Sequence, residues 1–323
     1  MTTTTDEHAA SLPMVLDEVE VHSASRVSPS YVRVELAGPA LADCGTDGPL
    51  LDQRMKIVFP SSTGALPDLS GADASWWDTW LAIPEDQRGS IRTYTIRDLV
   101  RSGAGTRIVV DIVVHDPREH TGPGNEWALR AAPGDRIVVA APRRGHAFGG
   151  IEWSPGDASR LLLAGDETAL PAVRGILRDL PADAVGAAFV EVPAAGDIQR
   201  DVLAPTGVEV TWLPRGDAPR GASLHAAVVA WLTGSAEQAP AVDDAEIDPD
   251  LWETPVHSSS GEQVAPYTQV PTGDSPYAGL YAWIAGESKV VTGLRRRLVS
   301  DLGVDRAQVA FMGYWREGVA MRS

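Results

Sequence analysis

The segment IRTYTIR at residues 91–97 carries three side chains that together suit a planar, phosphate-bearing cofactor. Successive side chains of a strand alternate between its faces, so Arg92 and Tyr94 share one face and Thr95 lies on the other. A flavin nucleotide needs a guanidinium for its phosphate, an aromatic platform for its ring and a short donor near its reactive nitrogen. The segment therefore indicates a flavin site, and the alternative is an ordinary strand that exposes an arginine.

A second cluster lies in the segment HDPREHTGPGNEW at residues 115–127. Gly122, Gly124 and Asn125 belong to a tight turn that opens a short helix, and free backbone N–H groups at a helix start suit a pyrophosphate. His115 ends a strand, from which it can reach a ring edge or an adenine. The alternatives are a common Gly-Pro-Gly turn and a structural histidine. The histidine has no partner cluster, so a metal site is not expected.

Two later segments have the strand–glycine–helix order of a nucleotide-binding loop. They are LLLAGDETALPAVRGIL at 161–177 and AGESKVVTGLRRRL at 285–298. The first lacks the GxGxxG spacing of the standard dinucleotide fingerprint, although its glycine permits close backbone approach and Thr168 is the expected N-cap of the following helix. The candidate binding residues are Gly165, Asp166, Glu167, Thr168, Gly286 and Glu287. Alternatively, the acidic residues only complement the helix dipole.

The elements that must position these residues change character along the chain. The first half holds six β-branched-rich segments, separated by Gly, Pro and Asp clusters, at 14–21, 31–36, 54–59, 91–97, 107–115 and 136–141. They predict a six-stranded antiparallel barrel with one short helix near 124–131. From about residue 157, strands and helices alternate, which predicts an α/β domain with a parallel sheet of about five strands. Its strands are expected at 161–165, 187–192, 208–213, 281–286 and 309–315, and its helices at 169–180, 224–232 and 287–302.

These patterns divide the chain into a disordered N-terminus (1–13), a barrel domain (14–156) and an α/β domain (157–323). Residues 61–90 contain three tryptophans among Ser, Gly and Asp and are expected to form an insertion in the barrel. Residues 234–277 contain nine acidic residues, six prolines and no lysine or arginine. Such a composition predicts a mobile acidic loop. Three roles are open for this loop: an inert insertion, a lid over the site, or a docking surface for a basic partner.

Composition excludes several other classes of function. The chain has 323 residues and a net charge of −17, and an acidic surface repels phosphate backbones, so no nucleic-acid partner is expected. A single cysteine, Cys44, excludes an internal disulfide framework and any Cys-rich zinc or iron–sulfur site. Neither a secretory signal nor a run of 18 apolar residues is visible, so we expect a cytoplasmic protein without a membrane partner. A monomer is expected.

In this order, the segments resemble the siderophore-interacting protein family, whose members include NAD(P)H-dependent ferric-siderophore reductases. The resemblance runs from about residue 14 to residue 318, apart from the acidic loop, and its specificity lies in the combination of motifs. The matching segments are QRMKIVFP (53–60), RTYTIR (92–97), WALRAAPGD (127–135), GDETALPA (165–172), YAWIAGES (281–288) and GYWREG (313–318). The family's fold resembles that of ferredoxin–NADP reductase, in which a nicotinamide-binding α/β domain follows a flavin-binding barrel.

The resemblance implies that the protein binds FAD. Arg92, Tyr94 and Thr95 would hold the FAD phosphate and isoalloxazine, which makes Tyr94 and Thr95 the candidate catalytic residues. His115 and the turn at residues 122–125 would hold the rest of FAD. The resemblance thus assigns to one cofactor the two clusters that the residues indicate separately.

The resemblance also implies a nicotinamide nucleotide, NADPH or NADH, at the loops that begin at Gly165 and Gly286. A 2′-phosphate is usually met by an arginine after the second strand of the α/β domain. After that strand, the segment VEVPAAGDIQ (190–199) has no arginine, and the first one is Arg200; Arg215, after the next strand, could serve instead. NADPH is our first expectation, while NADH and a ferredoxin stay open as donors.

The implied reaction passes electrons through FAD to siderophore-bound Fe³⁺ and releases Fe²⁺ for intracellular iron assimilation. Hard oxygen ligands bind Fe³⁺ better than Fe²⁺, so the protein needs no iron ligands of its own. Lys56 is the first candidate to bind the ferric siderophore, because the family's matching strand has a lysine that faces the open flavin edge. Arg143, Arg144 and Arg316 are further candidates. The alternative functions are a flavin-dependent reductase for another acceptor and a non-catalytic siderophore-binding protein.

Overall fold

The computed structural model describes residues 12–69, 71–73, 75–103, 105–115, 122–238, 242, 252–253 and 275–319. They fall into two compact units, with the division between Ile151 and Glu152. The predicted disordered N-terminus 1–13 lies outside the described residues except for its last two. Most of the predicted acidic loop 234–277 also lies outside them.

The first unit is built on an antiparallel sheet that forms a half-barrel. Its seven described strands are β1 (Met14–Ser28), β2 (Tyr31–Ala37), β3 (Arg54–Phe59), β4 (Ser90–Thr95), β5 (Asp98–Ser102), β6 (Gly105–Val113) and β7 (Arg136–Pro142). Their spatial order is β4-β3-β7-β1-β2-β6-β5. Alternate side chains such as Leu36, Ile57 and Val139 are buried in one core, which holds the strands in register.

The prediction of an antiparallel FAD-type barrel followed by a parallel-sheet domain is confirmed, but the strand number of the first unit differs. The sequence predicts six strands, and the structure adds β5. The segment DLVRS has no apolar run that would mark it as a strand, and it is one because it pairs with β6 at the sheet edge. Strand β1 also continues past its predicted end at residue 21, because its second half pairs with β2.

Two helices accompany this sheet, α1 (Trp76–Ala82) within the predicted insertion and α2 (Pro123–Arg130) at the predicted short helix. Trp76 and Trp80 are buried against Leu16 and Val58 in a second apolar cluster. Helix α2 has Gly122 as its N-cap and a proline in its first turn, as helix starts favour. The insertion thus covers apolar side chains of the sheet that the main core does not use.

The second unit contains the parallel sheet. Its described strands are β8 (Arg160–Gly165), β9 (Gly186–Val192), β10 (Val208–Pro214), β11 (Trp252–Glu253), β12 (Leu280–Glu287) and β13 (Val309–Trp315), in the spatial order β10-β9-β8-β12-β13-β11. Five of them are parallel, as predicted, and the two-residue β11 pairs antiparallel with β13. Its α-helices are α3 (Leu170–Asp179), α4 (Ala222–Thr233) and α5 (Ser288–Arg295).

One helix of this unit ends earlier than the sequence predicts. The expected helix over 287–302 is α-helical only to Arg295, and the following Arg296–Asp301 turn is π-helical. The strands β8 and β12 are buried along their length, which is typical of parallel strands covered on both faces. Because β8, β12 and β13 are parallel, their carboxyl ends share one sheet edge, and both strand–glycine–helix loops begin there. Within the described part of the chain, no helix is long and apolar enough to cross a membrane.

Candidate functional site

Strand β4 brings Tyr94 against the start of α2. Tyr94 packs edge-to-face on Phe59, with ring centroids 6.1 Å apart. A Cβ atom added to Gly124 would lie 2.1 Å from the Tyr94 hydroxyl, so the approach requires a glycine. The two clusters that the sequence assigns to one cofactor are therefore in contact.

Asn125 presents a buried donor beside this contact. Its Oδ1 accepts a hydrogen bond from the His115 backbone N–H at 2.7 Å, which fixes the side chain. Its Nδ2 is buried and has no hydrogen-bond partner among the described residues. A buried donor without an acceptor is costly, so this geometry fits a ligand oxygen. The phosphate and ribityl groups of FAD supply such oxygens, and the residues present here fit FAD.

The charges at this place suit an anionic cofactor. Burial lowers the pKa of Arg92, and Tyr94 partly offsets this effect. The guanidinium is still cationic at neutral pH. Burial raises the pKa of Tyr94, so its hydroxyl keeps its proton and can donate to a ligand oxygen. Thr95, on the other face of β4, is buried.

A cavity of about 270 Å³ opens beside β3 and β4 in the same unit. It is lined by Met14, Arg54, Met55, Lys56, Trp76, Thr93, Ala140, Phe148, Gly149 and Gly150. Lys56 Nζ lies 3.4 Å from Thr93 Oγ1 and 5.3 Å from the centroid of the Trp77 ring. Burial lowers the pKa of Lys56, and the neighbouring Arg54 lowers it further. Two cations with aromatic and apolar neighbours suit an anionic ligand that has planar groups.

The other residues predicted to bind the siderophore have partners within the protein. Arg143 Nε donates to the Met14 carbonyl at 3.3 Å, and Arg144 donates to the Ala42 carbonyl at 2.8 Å. Arg316 takes part in a short antiparallel bridge after β13. Their assignment to the siderophore stays a prediction, and the lysine of the cavity is the better placed candidate.

Asp166 follows β8 in the second unit and is 2% exposed. Its Oδ1 accepts hydrogen bonds from the N–H and hydroxyl of Thr168, at 2.8 and 2.6 Å. Its Oδ2 accepts from the Glu287 N–H and from Trp315 Nε1–H, both at 2.8 Å. Burial raises the pKa of Asp166 to about 6, Glu167 raises it further, and the bonds from Thr168 and Trp315 oppose the rise. One carboxylate thus joins the ends of β8, β12 and β13.

The predicted N-cap role of Thr168 is wrong. Helix α3 begins at Leu170, and Ala169 stands at the N-cap position without a side-chain hydrogen bond. A turn separates β8 from the helix, and Thr168 lies within it with its hydroxyl bonded to Asp166. The threonine therefore stabilises the loop rather than the helix start.

Glu167 is fully buried and is matched by two arginines. Arg215 lies 3.2 Å and Arg220 lies 2.7 Å from its carboxylate oxygens. Burial opposes ionisation of Glu167, but the hydrogen bond and charge of Arg215, helped by Arg220, outweigh burial and lower its pKa. Arg215 also lies 3.1 Å from the buried carboxylate of Glu191. Arg215, which the sequence suggests as a partner for a 2′-phosphate, therefore already forms ion pairs with two carboxylates.

The second strand–glycine–helix loop is built around Gly286 and Glu287. Gly286 has φ +148°, and a Cβ atom there would lie 2.7 Å from Asp166 Cγ, so glycine is required. Glu287 caps α5, since its Oε2 accepts from the N–H groups of Lys289 and Val290 at 2.7 and 3.2 Å. The acids of both loops are bonded to protein groups, and their contact with a nucleotide stays a prediction.

Sequence reasoning missed two members of this network. Glu191 belongs to no recognised motif. However, an acidic residue inside the apolar strand AAFVEV is unusual, and it predicts a buried partner of opposite charge. Arg220 gives no local signal, because its partner Glu167 lies 53 residues away in the sequence. Only the three-dimensional structure pairs them.

Comparisons with known proteins agree with this architecture. Residues 158–318 match the model for the siderophore-interacting protein family, and residues 20–146 match the model for the siderophore-interacting FAD-binding domain. The ferric vibriobactin reductase of Vibrio cholerae is 26% identical, over 95% of this chain and 90% of that protein. The NADPH-dependent ferric-chelate reductase of Escherichia coli is 26% identical, over 92% of each chain.

A solved structure shows the same fold. The crystal structure of a siderophore utilization protein from T. fusca is similar with a TM-score of 0.64, at 28% identity and over 96% of each chain. The similarity covers both units, as do the two family models taken together. The chain therefore belongs to the siderophore-interacting protein family, and its first unit contains that family's FAD-binding domain.

Proposed function

We propose that this protein is a ferric-siderophore reductase that passes electrons from NADPH or NADH through FAD to siderophore-bound Fe³⁺. The observation that carries the proposal is the contact of Tyr94 with Gly124, beside the buried Nδ2 of Asn125, which has no hydrogen-bond partner among the described residues. This arrangement suits a phosphate-bearing planar cofactor. The names of the Vibrio and Escherichia relatives support ferric iron as the electron acceptor.

Each residue of the first unit has a separate task in this proposal. The Arg92 guanidinium neutralises phosphate charge, and the protonated Tyr94 hydroxyl donates a hydrogen bond. Asn125 donates through Nδ2, while Gly124 keeps the start of α2 close to the strand. Bound FAD would accept a hydride from the nucleotide and supply electrons one at a time, which suits the reduction of Fe³⁺.

The cavity at Lys56 is the proposed place of the ferric siderophore. A loaded siderophore is often anionic, whereas the chain carries a net charge of −17. A local group of cations is therefore needed to hold such a substrate. Lys56 and Arg54 provide it, and Trp76 provides an apolar wall.

Replacement of Lys56 tests this assignment. For Lys56→Gln we expect the KM for an anionic ferric triscatecholate to rise by about fivefold, since a substrate charge loses its partner. NAD(P)H oxidation by a small neutral acceptor should be unchanged. Arg136→Gln is the matched control, because it removes one positive charge from an exposed side chain of β7 that does not line the cavity.

The acceptor comparison separates the outcomes. Loss of the ferric activity alone supports the cavity as the siderophore site. Equal loss with both acceptors, or an equal effect of Arg136→Gln, would contradict it.

A further inference from the structure

The segment Trp315–Glu317 is held by the same loops that the sequence assigns to the nucleotide. Asp166 Oδ2 accepts from Trp315 Nε1–H at 2.8 Å, and the Ser288 hydroxyl donates to the Trp315 carbonyl at 2.9 Å. Glu287 Oε1 accepts from the Glu317 N–H at 3.2 Å. The polar groups of both loops therefore converge on one segment of the protein, and the indole of Trp315 is its largest side chain.

The indole ring is fixed on its face as well as on its edge. The Arg220 guanidinium lies 4.6 Å from the ring centroid. Arg220 is itself fixed by the fully buried Glu167 at 2.7 Å and lies 3.6 Å from Glu317. A bond at the ring nitrogen and a cation over one face leave the ring little rotational freedom. Such a ring is pre-organised for stacking.

The Trp315 indole lies at the carboxyl ends of the parallel strands, where open α/β sheets bind their ligands. Trp315 is the last residue of β13, Glu287 is the last residue of the adjacent β12, and Asp166 directly follows β8. Asp166 is 2% exposed and Glu167 is fully buried, so neither carboxylate can meet a ligand directly. Trp315 is only half-buried, so it can.

We propose that Trp315 is the stacking platform for a planar ring of the nicotinamide nucleotide, and that Asp166 is the positioning residue that sets its orientation. This inference rests on the proposed function for the identity of the donor. It differs from the sequence prediction, in which Asp166 and Glu287 contact the nucleotide themselves. The planar ring is the nicotinamide or the adenine, which share the stacking chemistry.

The oxygens of Asp166 accept all four of the hydrogen bonds that join it to its partners. Thr168 supplies an N–H and a hydroxyl to Oδ1, while the Glu287 N–H and Trp315 Nε1–H point at Oδ2. An asparagine can turn its NH₂ group toward the Thr168 hydroxyl, which also accepts, and keep its oxygen for the Glu287 N–H and Trp315 Nε1–H. An alanine offers no acceptor to any of the four groups. Asp166→Ala should therefore release the indole, whereas Asp166→Asn should retain it.

Calorimetric titration of the FAD-loaded protein with NADP⁺ and NAD⁺ tests the proposal without any turnover. Trp315→Ala should weaken binding of the preferred nucleotide by about tenfold, the order expected for loss of one stacked ring. Trp315→Phe should weaken it less, because the ring is kept. Trp231→Ala is the matched control, since Trp231 also lies under an arginine, Arg160, at 3.8 Å but belongs to α4.

A double-mutant cycle tests the role of Asp166. Asp166→Ala should weaken nucleotide binding by about threefold in the wild-type protein and not at all in the Trp315→Ala background, because its effect acts through the indole. Asp166→Asn should restore most of the lost affinity, because its amide oxygen can still accept from Trp315 Nε1–H. Additive losses would show a general structural role and contradict the positioning role. Flavin content, measured in parallel, should be unchanged in every variant.

Titration with the two halves of the nucleotide identifies the stacked ring, and the control variants test whether the effect is specific to Trp315. Nicotinamide mononucleotide and AMP, titrated separately, identify the ring, since only the stacked fragment should lose affinity in Trp315→Ala. Unchanged affinity in Trp315→Ala, an equal loss in Trp231→Ala, or no nucleotide binding by the normal chain would each overturn the inference. If the protein binds the nucleotide through Trp315 but does not reduce a ferric siderophore, the inference about Trp315 is supported and only the proposed function is contradicted.

Discussion

At the scale of single residues, candidate binding groups could be named from the sequence, but their partners within the protein could not be predicted. The motif RTYTIR and the glycine-led turn predict a cofactor site, and the structure brings Tyr94 and Gly124 into contact. The acids of the nucleotide loops are different. Asp166 and Glu287 stand at the expected positions, yet beside their local hydrogen bonds each also accepts one from a distant residue, Trp315 and Glu317, which lie 149 and 30 residues away. Pairings over such separations leave no local pattern in a sequence.

The contact of Tyr94 with Gly124 makes a sharp prediction. In Gly124→Ala the new methyl group would meet the Tyr94 hydroxyl, so the ring must move and FAD affinity should fall by tenfold or more. Gly48→Ala is the matched control, because the exposed Gly48 lies outside both predicted FAD segments and a Cβ atom there meets no described residue within 4 Å. Flavin absorbance after dialysis, with the melting temperature of the FAD-free protein, measures both. Equal flavin retention by the two variants would show that Tyr94 is not part of the FAD site.

The titration of Asp166 gives a pH dependence with a defined sign. Its pKa in the folded chain is about 6, above the ordinary value of 3.8. The folded state therefore holds this proton more tightly than the unfolded state, and the free energy of unfolding falls as pH rises toward 6. Relative to Asp166→Asn, which cannot titrate there, the normal chain should lose about 2 kcal/mol between pH 4.5 and 7.5. Denaturant unfolding at a series of pH values measures this difference, and a difference that is constant or grows with pH would contradict the prediction.

At the scale of elements, strongly patterned segments could be predicted and context-dependent ones could not. The apolar strands β8 and β12 and the amphipathic helix α3 appear where their periodicity indicates. Strand β5 was missed because its pairing with β6, not its composition, makes it a strand. The turn that displaces the start of α3 from Thr168 was missed for a related reason, since the hydroxyl had an alternative acceptor in Asp166.

The packing of α4 on α5 gives a prediction at this scale. Gly221 precedes α4 with φ +75°, and a Cβ atom there would lie 2.4 Å from a methyl group of Val290 on α5. Gly216 also has a positive φ, +54°, but a Cβ atom there meets none of the described residues within 4 Å. Both Gly→Ala changes cost about 1–2 kcal/mol of backbone strain. Gly221→Ala should cost about 1–3 kcal/mol more through overpacking. Denaturant unfolding of both variants measures the difference, and equal costs would show that the two helices do not pack closely there.

At the scale of the whole molecule, the acidity of the chain opposes the substrate that we propose. The net charge is −17, and residues 234–277 contribute nine of the acidic side chains. Long-range repulsion of an anionic ferric siderophore acts against the local attraction of Lys56 and Arg54. Salt screens the long-range part more strongly, since the Debye length is about 10 Å at 0.1 M.

This balance predicts the salt dependence of turnover. For an anionic ferric catecholate, kcat/KM should rise a few-fold between about 10 mM and 200 mM salt, because screening removes repulsion between distant charges. A neutral ferric hydroxamate should show little change. A fall in kcat/KM with salt for the anionic substrate would mean that the local cations, not the net charge, dominate the encounter.

The central claim is that electrons pass from a nicotinamide nucleotide through FAD to siderophore-bound iron. It is tested most directly by anaerobic absorbance of the FAD-loaded protein, to which NADPH or NADH is added first and a ferric siderophore second. We expect the nucleotide to bleach the flavin absorbance and the ferric siderophore to restore it. Chelatable Fe²⁺ should appear as the absorbance returns. Bleaching without return would remove ferric siderophores as the acceptor, and absence of bleaching with both nucleotides would contradict the donor and with it the central claim.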